Sequence, residues 1–387
     1  LLVFELMEEL ITKDGSKHAT EKHLSEVRQL CVFTTHTPVA AGHDRFSFDL
    51  ACRLLKKCNT FGDLGKSLCC NGELNLTYLA LDASHYINGV AKRHREISKR
   101  MFVGYDIDSI TNGVHATTWA CPEMQTLFDQ NIPDWRRDNA SLRYAISIPR
   151  DEIWQAHSQA KLKLIEYVNK MCNSGMDKNI FTVGFARRAT EYKRTTLIFN
   201  DIQRLIDITA NIGPIQLIFS GKAHPKDQNG KELIQRVYRM QETLNENIKI
   251  AYIPDYDMEI GKLMTSGSDL WLNTPLPPME ASGTSGMKAA VNGVPSLSVL
   301  DGWWIEGCIE GVTGWAIGNT EQPHDTHRAE VEIAQDLYDK IEKRILPLYY
   351  LQRDDYIGVM QHAIALNASF FNTERMLNQY ITKAYFR

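Results

Sequence analysis

Two stretches of the chain concentrate residues able to hold an anion. Residues 187–194, RRATEYKR, put Arg187, Arg188, Lys193 and Arg194 within eight positions. Arginine offers phosphate a planar fork and lysine a point charge. A solvated helix start fits the same residues. Residues 275–294, PLPPMEASGTSGMKAAVNGV, are the richer stretch. Pro275, Pro277 and Pro278 stiffen the approach. Ser282, Gly283, Thr284, Ser285 and Gly286 then form a small-residue turn opening a helix that carries Met287, Lys288 and Ala289. Backbone N–H groups at such a helix start, helped by Thr and Ser hydroxyls, cradle phosphate. Lys288, read in the first turn of that helix, suits either a counter-ion or an imine-forming lysine for pyridoxal phosphate. Glu280 could accept hydrogen bonds from substrate hydroxyls. A capped helix with a solvated lysine fits this stretch too.

Something must position these loops. Five apolar runs, FTVGFA (181–186), IQLIFSG (215–221), IKIAYI (248–253), DLWLNT (269–274) and PSLSVL (295–300), alternate with helical patterns such as KELIQRVYRMQETLNEN. Near-continuous apolar strands between helices predict parallel βαβ units covered on both faces. The expectation is a doubly wound α/β domain with its site at the carboxyl ends of the strands. Lys222 and His224 follow the second run and Tyr256 the third; an ordinary turn and a structural tyrosine fit them equally. Residues 1–112 read as mostly helical, with a short strand in LCVFTTHTPV. There the run Lys92, Arg93, Arg95, Lys99 and Arg100 reads as a solvated helix face, and His85 and Asn112 sit beside turns. His36 and His43 form a pair with no third ligand at suitable spacing, so no metal site is expected. Residues 326–387 return to helical patterns and end in TERMLNQYITKAYF.

Composition narrows the classes. The 387 residues include 43 Lys+Arg and 47 Asp+Glu, a formal net charge of −4. Bulk charge therefore does not hold this protein to nucleic acid or an anionic membrane. No run of about 18 apolar residues predicts a membrane span. Eight cysteines with no CxxC pair read as reduced, cytosolic thiols. The first ten residues, LLVFELMEEL, carry Glu5, Glu8 and Glu9 and no basic region, which does not read as a signal peptide; without an initiator Met, the chain reads as a fragment.

The stretch EASGTSGMKAAVNG at 280–293 resembles the pyridoxal-phosphate signature of the α-glucan (glycogen, starch, maltodextrin) phosphorylases. SHYINGVA, TNGVHATTW, RRATEYKR and GKAHP occur in the family's order, and FTTHTPVAAGHDRF is similar to the short bacterial and archaeal branch. The resemblance implies a two-lobed glycosyltransferase fold of GT-B type. Its parts would be a first-lobe remnant at 1–112, a Rossmann-like lobe at 113–360 and a last segment, 361–387, packing back on the first lobe. It implies phosphorolysis of terminal α-1,4-linked glucose to glucose 1-phosphate with retention, in the cytoplasm, on glycogen or maltodextrin and inorganic phosphate. Family analogy adds a homodimer. By motif match Lys288 carries pyridoxal 5′-phosphate covalently, and Trp119, Arg187, Lys193, Tyr256, Thr284 and Ser285 line the cofactor. Arg188 and Lys193 match the pair that holds the substrate phosphate. His85, Asn112, Tyr192, Glu280, Ser282 and Gly283 match positions that hold the glucosyl unit, with His36 near the sugar path. Arg188, Lys193, Lys288, Glu280 and His85 are thus the expected catalytic set.

The family's glycine-rich phosphate loop has no counterpart before residue 31. The chain is accordingly expected to carry the C-terminal half plus the tail of the first lobe, and to have little activity alone. Two other readings compete. A nucleotide-sugar glycosyltransferase of the glycogen synthase kind would carry a second Glu where this chain has Lys288. A non-catalytic glucan-binding fragment would bind without turnover.

Overall fold

The computed structural model describes residues 2–55, 69–70, 72–318 and 326–386. Cys58 and the side chains of Cys69 and Cys70 lie outside that description. Cys31, Cys121, Cys172 and Cys308 are free thiols, whereas Cys52 is disulfide-bonded, against the expectation of reduced thiols throughout. The chain divides into two compact units, Leu1–Thr111 with Asn378–Arg387, and Asn112–Leu377.

The first unit is less helical than its composition suggests. Strands β1 (Val32–Thr34), β5 (Tyr86–Gly89) and β6 (Asp108–Ser109) form a parallel sheet. Strands β2 (Arg45–Ser47), β3 (Cys69–Cys70) and β4 (Glu73–Asn75) form an antiparallel one. Just before the basic run, Tyr86, Ile87, Asn88 and Gly89 are all buried and pair as β5, and the helix starts only at Lys92. From there His94 and Ser98 point inward and the charges outward, a four-residue spacing that fits a helix face. Within this unit the Tyr380 hydroxyl meets Thr34 Oγ1 at 3.0 Å, and Lys383 Nζ donates to Asp108 at 3.0 Å.

The second unit is built on a six-stranded parallel sheet of order β12-β11-β10-β7-β8-β9. Its strands are β7 (Phe181–Ala186), β8 (Ile215–Ser220), β9 (Lys249–Ile253), β10 (Leu270–Asn273), β11 (Ser296–Val299) and β12 (Gly314–Ile317). The five apolar runs became β7 to β11. Both faces of these strands are covered, which is why the runs show no polar alternation. Val183, Phe185, Leu217, Phe219 and Leu272 enter one apolar cluster, while Ala186, Ile218, Ala251, Ile253 and Trp271 enter another. The second cluster includes Leu164, Ile165 and Val168 of the long helix Arg150–Cys172, and Ile260 and Met264 of the helix Met258–Gly267.

The strand order decides where a site can form. The chain builds β7, β8 and β9 in one direction, then returns to lay β10, β11 and β12 on the other side of β7. The crevice between β7 and β10, at their carboxyl ends, is a topological switch point. Both anion-holding stretches leave from it. No helix among the described residues is long and apolar enough to cross a membrane.

Candidate cofactor and phosphate site

Arg187 is the first residue past β7. Its backbone N–H donates to the Ser220 carbonyl at 3.2 Å, at the end of β8. At Gly221, with φ +152°, a Cβ would lie 1.9 Å from the Arg187 carbonyl oxygen, so only glycine allows this approach. The loop after β7 is then tied to the loop after β10. The Arg194 guanidinium donates to the Thr274 and Pro275 carbonyls at 2.9 and 2.7 Å, and the Leu276 N–H donates to the Tyr192 carbonyl at 2.7 Å.

That lacing brings opposite charges together. Glu280 Oε2 accepts from Arg187 Nη2 at 2.9 Å and from Lys193 Nζ at 2.5 Å, and all three side chains are at least nine-tenths buried. Burial disfavours the Glu280 charge, but the Arg187 and Lys193 cations outweigh it and hold the carboxyl below its ordinary range. Lys193 is pushed down to about 8, by burial first and by Arg187 second, with Glu280 opposing. Its ammonium also lies 4.6 Å from the Tyr192 ring centroid. The Glu280 backbone is fixed independently: its N–H donates to Asp301 Oδ2 at 2.9 Å, and Gly302 N–H donates to Asp301 Oδ1 at 2.9 Å. Asp301 is a positioning residue the sequence reading passed over. It follows the fifth apolar run, PSLSVL, at the one strand end not inspected for chemistry.

The helix Thr284–Val291 begins after Gly283, which serves as N-cap at φ +85° with no side-chain cap. Lys288 is therefore the fifth residue of the helix and lies in its second turn, not its first. The helix starts earlier than expected, at Thr284 inside the small-residue turn, directly after the left-handed Gly283. The Lys288 ammonium sits 3.7 Å from the Trp119 ring centroid. Burial lowers its pKa, and the nearby Arg187 charge adds to the effect. Tyr256 and Trp119 both crowd Gly261, where a Cβ would lie 2.7 Å from Tyr256 Oη and 3.7 Å from Trp119 Cζ3. Burial, with Asp257 adding, raises the Tyr256 pKa. Ser285 Oγ accepts from Trp271 Nε1 at 3.1 Å.

Among the polar atoms of this region buried without a hydrogen-bond partner are Arg187 Nη1 and Ser282 Oγ, together with Thr190 Oγ1 in the loop after β7 and Asn273 Oδ1 at the end of β10. Buried orphans are rare and mark a missing ligand or strain. With the uncapped helix start and the desolvated amine of Lys288, they fit an aldehyde cofactor bearing a phosphate monoester. Arg187 and the Thr284 turn would meet the phosphate, Lys288 the aldehyde, and the Ser282 hydroxyl remains for a substrate hydroxyl.

Other expected site residues lie elsewhere. Arg188 is exposed. The Asn112 carbonyl accepts from Arg375 at 3.0 Å. His85 and His36 belong to the first unit. The His85 ring nitrogens face the Arg28 and Ala384 carbonyls at 3.2 and 2.9 Å, and a neutral ring can donate to only one of them. His36 is exposed. His224 Nδ1 accepts from the Lys226 N–H within its own turn. No cluster of three or more metal-ligating side chains occurs among the described residues.

The cation pair sets a pH dependence. Lys193 is an ammonium below about pH 8 and loses its charge above it. Orthophosphate affinity is expected to fall about tenfold as pH rises from 7.5 to 9.5, the worth of roughly one charge-assisted hydrogen bond. Isothermal titration across that range checks this. Lys193→Met should bind weakly and without the slope, and a wild-type profile that stays flat would contradict the assignment.

Comparison with known proteins gives a consistent picture. A family model described as carbohydrate phosphorylase matches residues 67–358. The chain is 39% identical to the maltodextrin phosphorylase of Thermococcus litoralis over 394 residues, covering 94% of this chain and 47% of that protein. It is 37% identical to the glycogen phosphorylase of Aquifex aeolicus, covering 99% of this chain and 60% of that protein. With the glycogen phosphorylase of Mycobacterium tuberculosis it shares 34% identity, covering 99% of this chain and 50% of that protein. The chain thus spans about half the length of these relatives.

Proposed function

The chain belongs to the carbohydrate phosphorylase family, and from that premise we propose that it contributes the cofactor and phosphate half of a two-lobed, GT-B-type α-glucan phosphorylase. The reaction is phosphate-dependent release of glucose 1-phosphate, with retained configuration, from glycogen or maltodextrin in the cytoplasm. The observation that carries the reading is a pairing at the switch point. A half-buried amine, Lys288, with its pKa held down, lies beside a buried guanidinium with one unpartnered nitrogen, Arg187 Nη1.

The residues divide the work. Desolvation raises the neutral fraction of the Lys288 amine, which makes it a better nucleophile toward an aldehyde. The Trp119 face fixes where that amine sits. Arg187 and the helix start at Thr284 and Ser285 hold the cofactor's phosphate. Lys193 and the exposed Arg188 offset the repulsion when a second phosphate arrives. Tyr192, Glu280, Ser282, Gly283 and Asn112 orient the glucosyl unit. When bound, pyridoxal 5′-phosphate supplies a phosphate monoester whose second pKa, near about 6, lets it exchange a proton at neutral pH.

The test has two arms. Incubation with pyridoxal 5′-phosphate followed by borohydride should leave one adduct, on the peptide containing Lys288. The intact protein should then shorten maltodextrin only when orthophosphate is present, releasing glucose 1-phosphate. Absence of an adduct rejects the reading.

A further inference from the structure

Glu280, the acceptor assigned above to sugar hydroxyls, is already occupied. Its Oε2 pairs with Arg187 Nη2 and accepts a hydrogen bond from Lys193 Nζ. These two cations are also the groups a phosphate oxygen would seek. Arg187 uses one terminal nitrogen on the carboxylate while the other, Nη1, is buried without a partner. A guanidinium is built to grip a bidentate anion with both. The site is therefore half-filled by an internal anion, and an external one would fill it better.

We propose that the Glu280 carboxylate is an internal stand-in for phosphate. It neutralises the Arg187–Lys193 pair until a phosphate group takes the pair over, and only then turns to accept sugar hydroxyls, so that phosphate and sugar bind cooperatively. The inference rests on the reading of Glu280 as the sugar acceptor. Charge arithmetic supports it: one carboxylate on two cations leaves an excess positive charge, whereas a phosphate of about −1.5 to −2 cancels it. The displaced carboxylate would be a buried charge without donors, an expensive state unless hydroxyls arrive. Only the side chain has to swing. The Glu280 backbone stays clamped by Asp301, and Gly283 leaves room: a Cβ there would lie 3.3 Å from Glu280 Cγ. Coupling of this kind is reciprocal, so sugar must tighten phosphate by the factor by which phosphate tightens sugar.

The phosphate can come from orthophosphate or from the tail of pyridoxal 5′-phosphate, and titration of the intact protein separates the two. Glucose affinity is measured alone, with saturating orthophosphate, with pyridoxal 5′-phosphate and with phosphate-free pyridoxal. A phosphate-bearing ligand should tighten glucose about five- to tenfold, and pyridoxal should not. The arm that produces the effect identifies the source. Glu280→Gln, checked for its fold by near-ultraviolet circular dichroism, should bind orthophosphate about five- to tenfold more tightly than wild type and lose the coupling. Should this variant not fold, the wild-type titrations decide alone. Glucose affinity indifferent to every phosphate-bearing ligand overturns the proposal, as does a folded Glu280→Gln with unchanged or weaker phosphate affinity. A Lys288 adduct without coupling overturns the stand-in and leaves the proposed function intact. Coupling to orthophosphate without an adduct does the reverse.

Discussion

Replacing Lys161 with methionine is expected to cost the second unit about 3–5 kcal/mol, the range seen when one partner of a buried ion pair is removed. Asp269 is fully buried and Lys161 is 3% exposed. Lys161 Nζ donates to Asp269 Oδ2 at 2.5 Å, to the Ile180 carbonyl at 2.8 Å and to the Tyr349 hydroxyl at 3.1 Å, so all three of its protons are used. The same carboxylate accepts from the Thr182 N–H at 2.7 Å and meets His157 Nε2 at 2.9 Å. Burial disfavours the Asp269 charge, and the Lys161 cation outweighs it and holds the carboxyl below its ordinary range. Methionine fills a similar space but leaves that carboxylate buried beside a carbonyl and a phenol that have lost their donor. Thermal unfolding should start roughly 10 °C lower. A double variant, Lys161→Met with Asp269→Asn, should regain part of the loss, because it removes both charges while the amide oxygen still accepts from the Thr182 N–H. A single-variant loss below about 1 kcal/mol would contradict this account.

Lys288→Ala is expected to abolish the borohydride-stable adduct entirely while leaving the fold in place. The side chain is half-buried, and its polar head has one described contact, with the Trp119 face. Losing a cation–π contact at this half-buried head costs roughly 1–2 kcal/mol, and alanine's helix propensity offsets part of it. Stability and covalent cofactor uptake should therefore separate cleanly. Peptide mass mapping is decisive: an adduct that persists in the variant would place the reactive amine at another lysine.

The sheet was legible because burial on both faces writes itself as unbroken apolar runs. IQLIFSG became Ile215–Ser220 and PSLSVL became Ser296–Val299. The edge strand β12, Gly314–Ile317, escaped notice because GWAI is short and opens on glycine, and it pairs with β11 alone. The strands of the first unit were harder. Arg45, Phe46 and Ser47 are all exposed, so no periodicity could announce β2. At the site, the runs pointed to loops at strand ends, but which of those loops share the crevice follows from the strand order, and pairing across them was invisible. Lys193 and Glu280 are 87 residues apart, and Lys161 and Asp269 are 108. Nothing local in either sequence neighbourhood says which distant charge a buried ion will meet.

The bonds from Arg194 to Thr274 and Pro275, and from Leu276 to Tyr192, mean that the cations and the carboxylate of this crevice ride on one piece of backbone rather than two. Neither stretch can fray without dragging its counterpart. The spacing of the charges is thus insulated from the jitter that ordinarily blurs groups carried on separate loops, and wear in one stretch would register at once as slackness in the other.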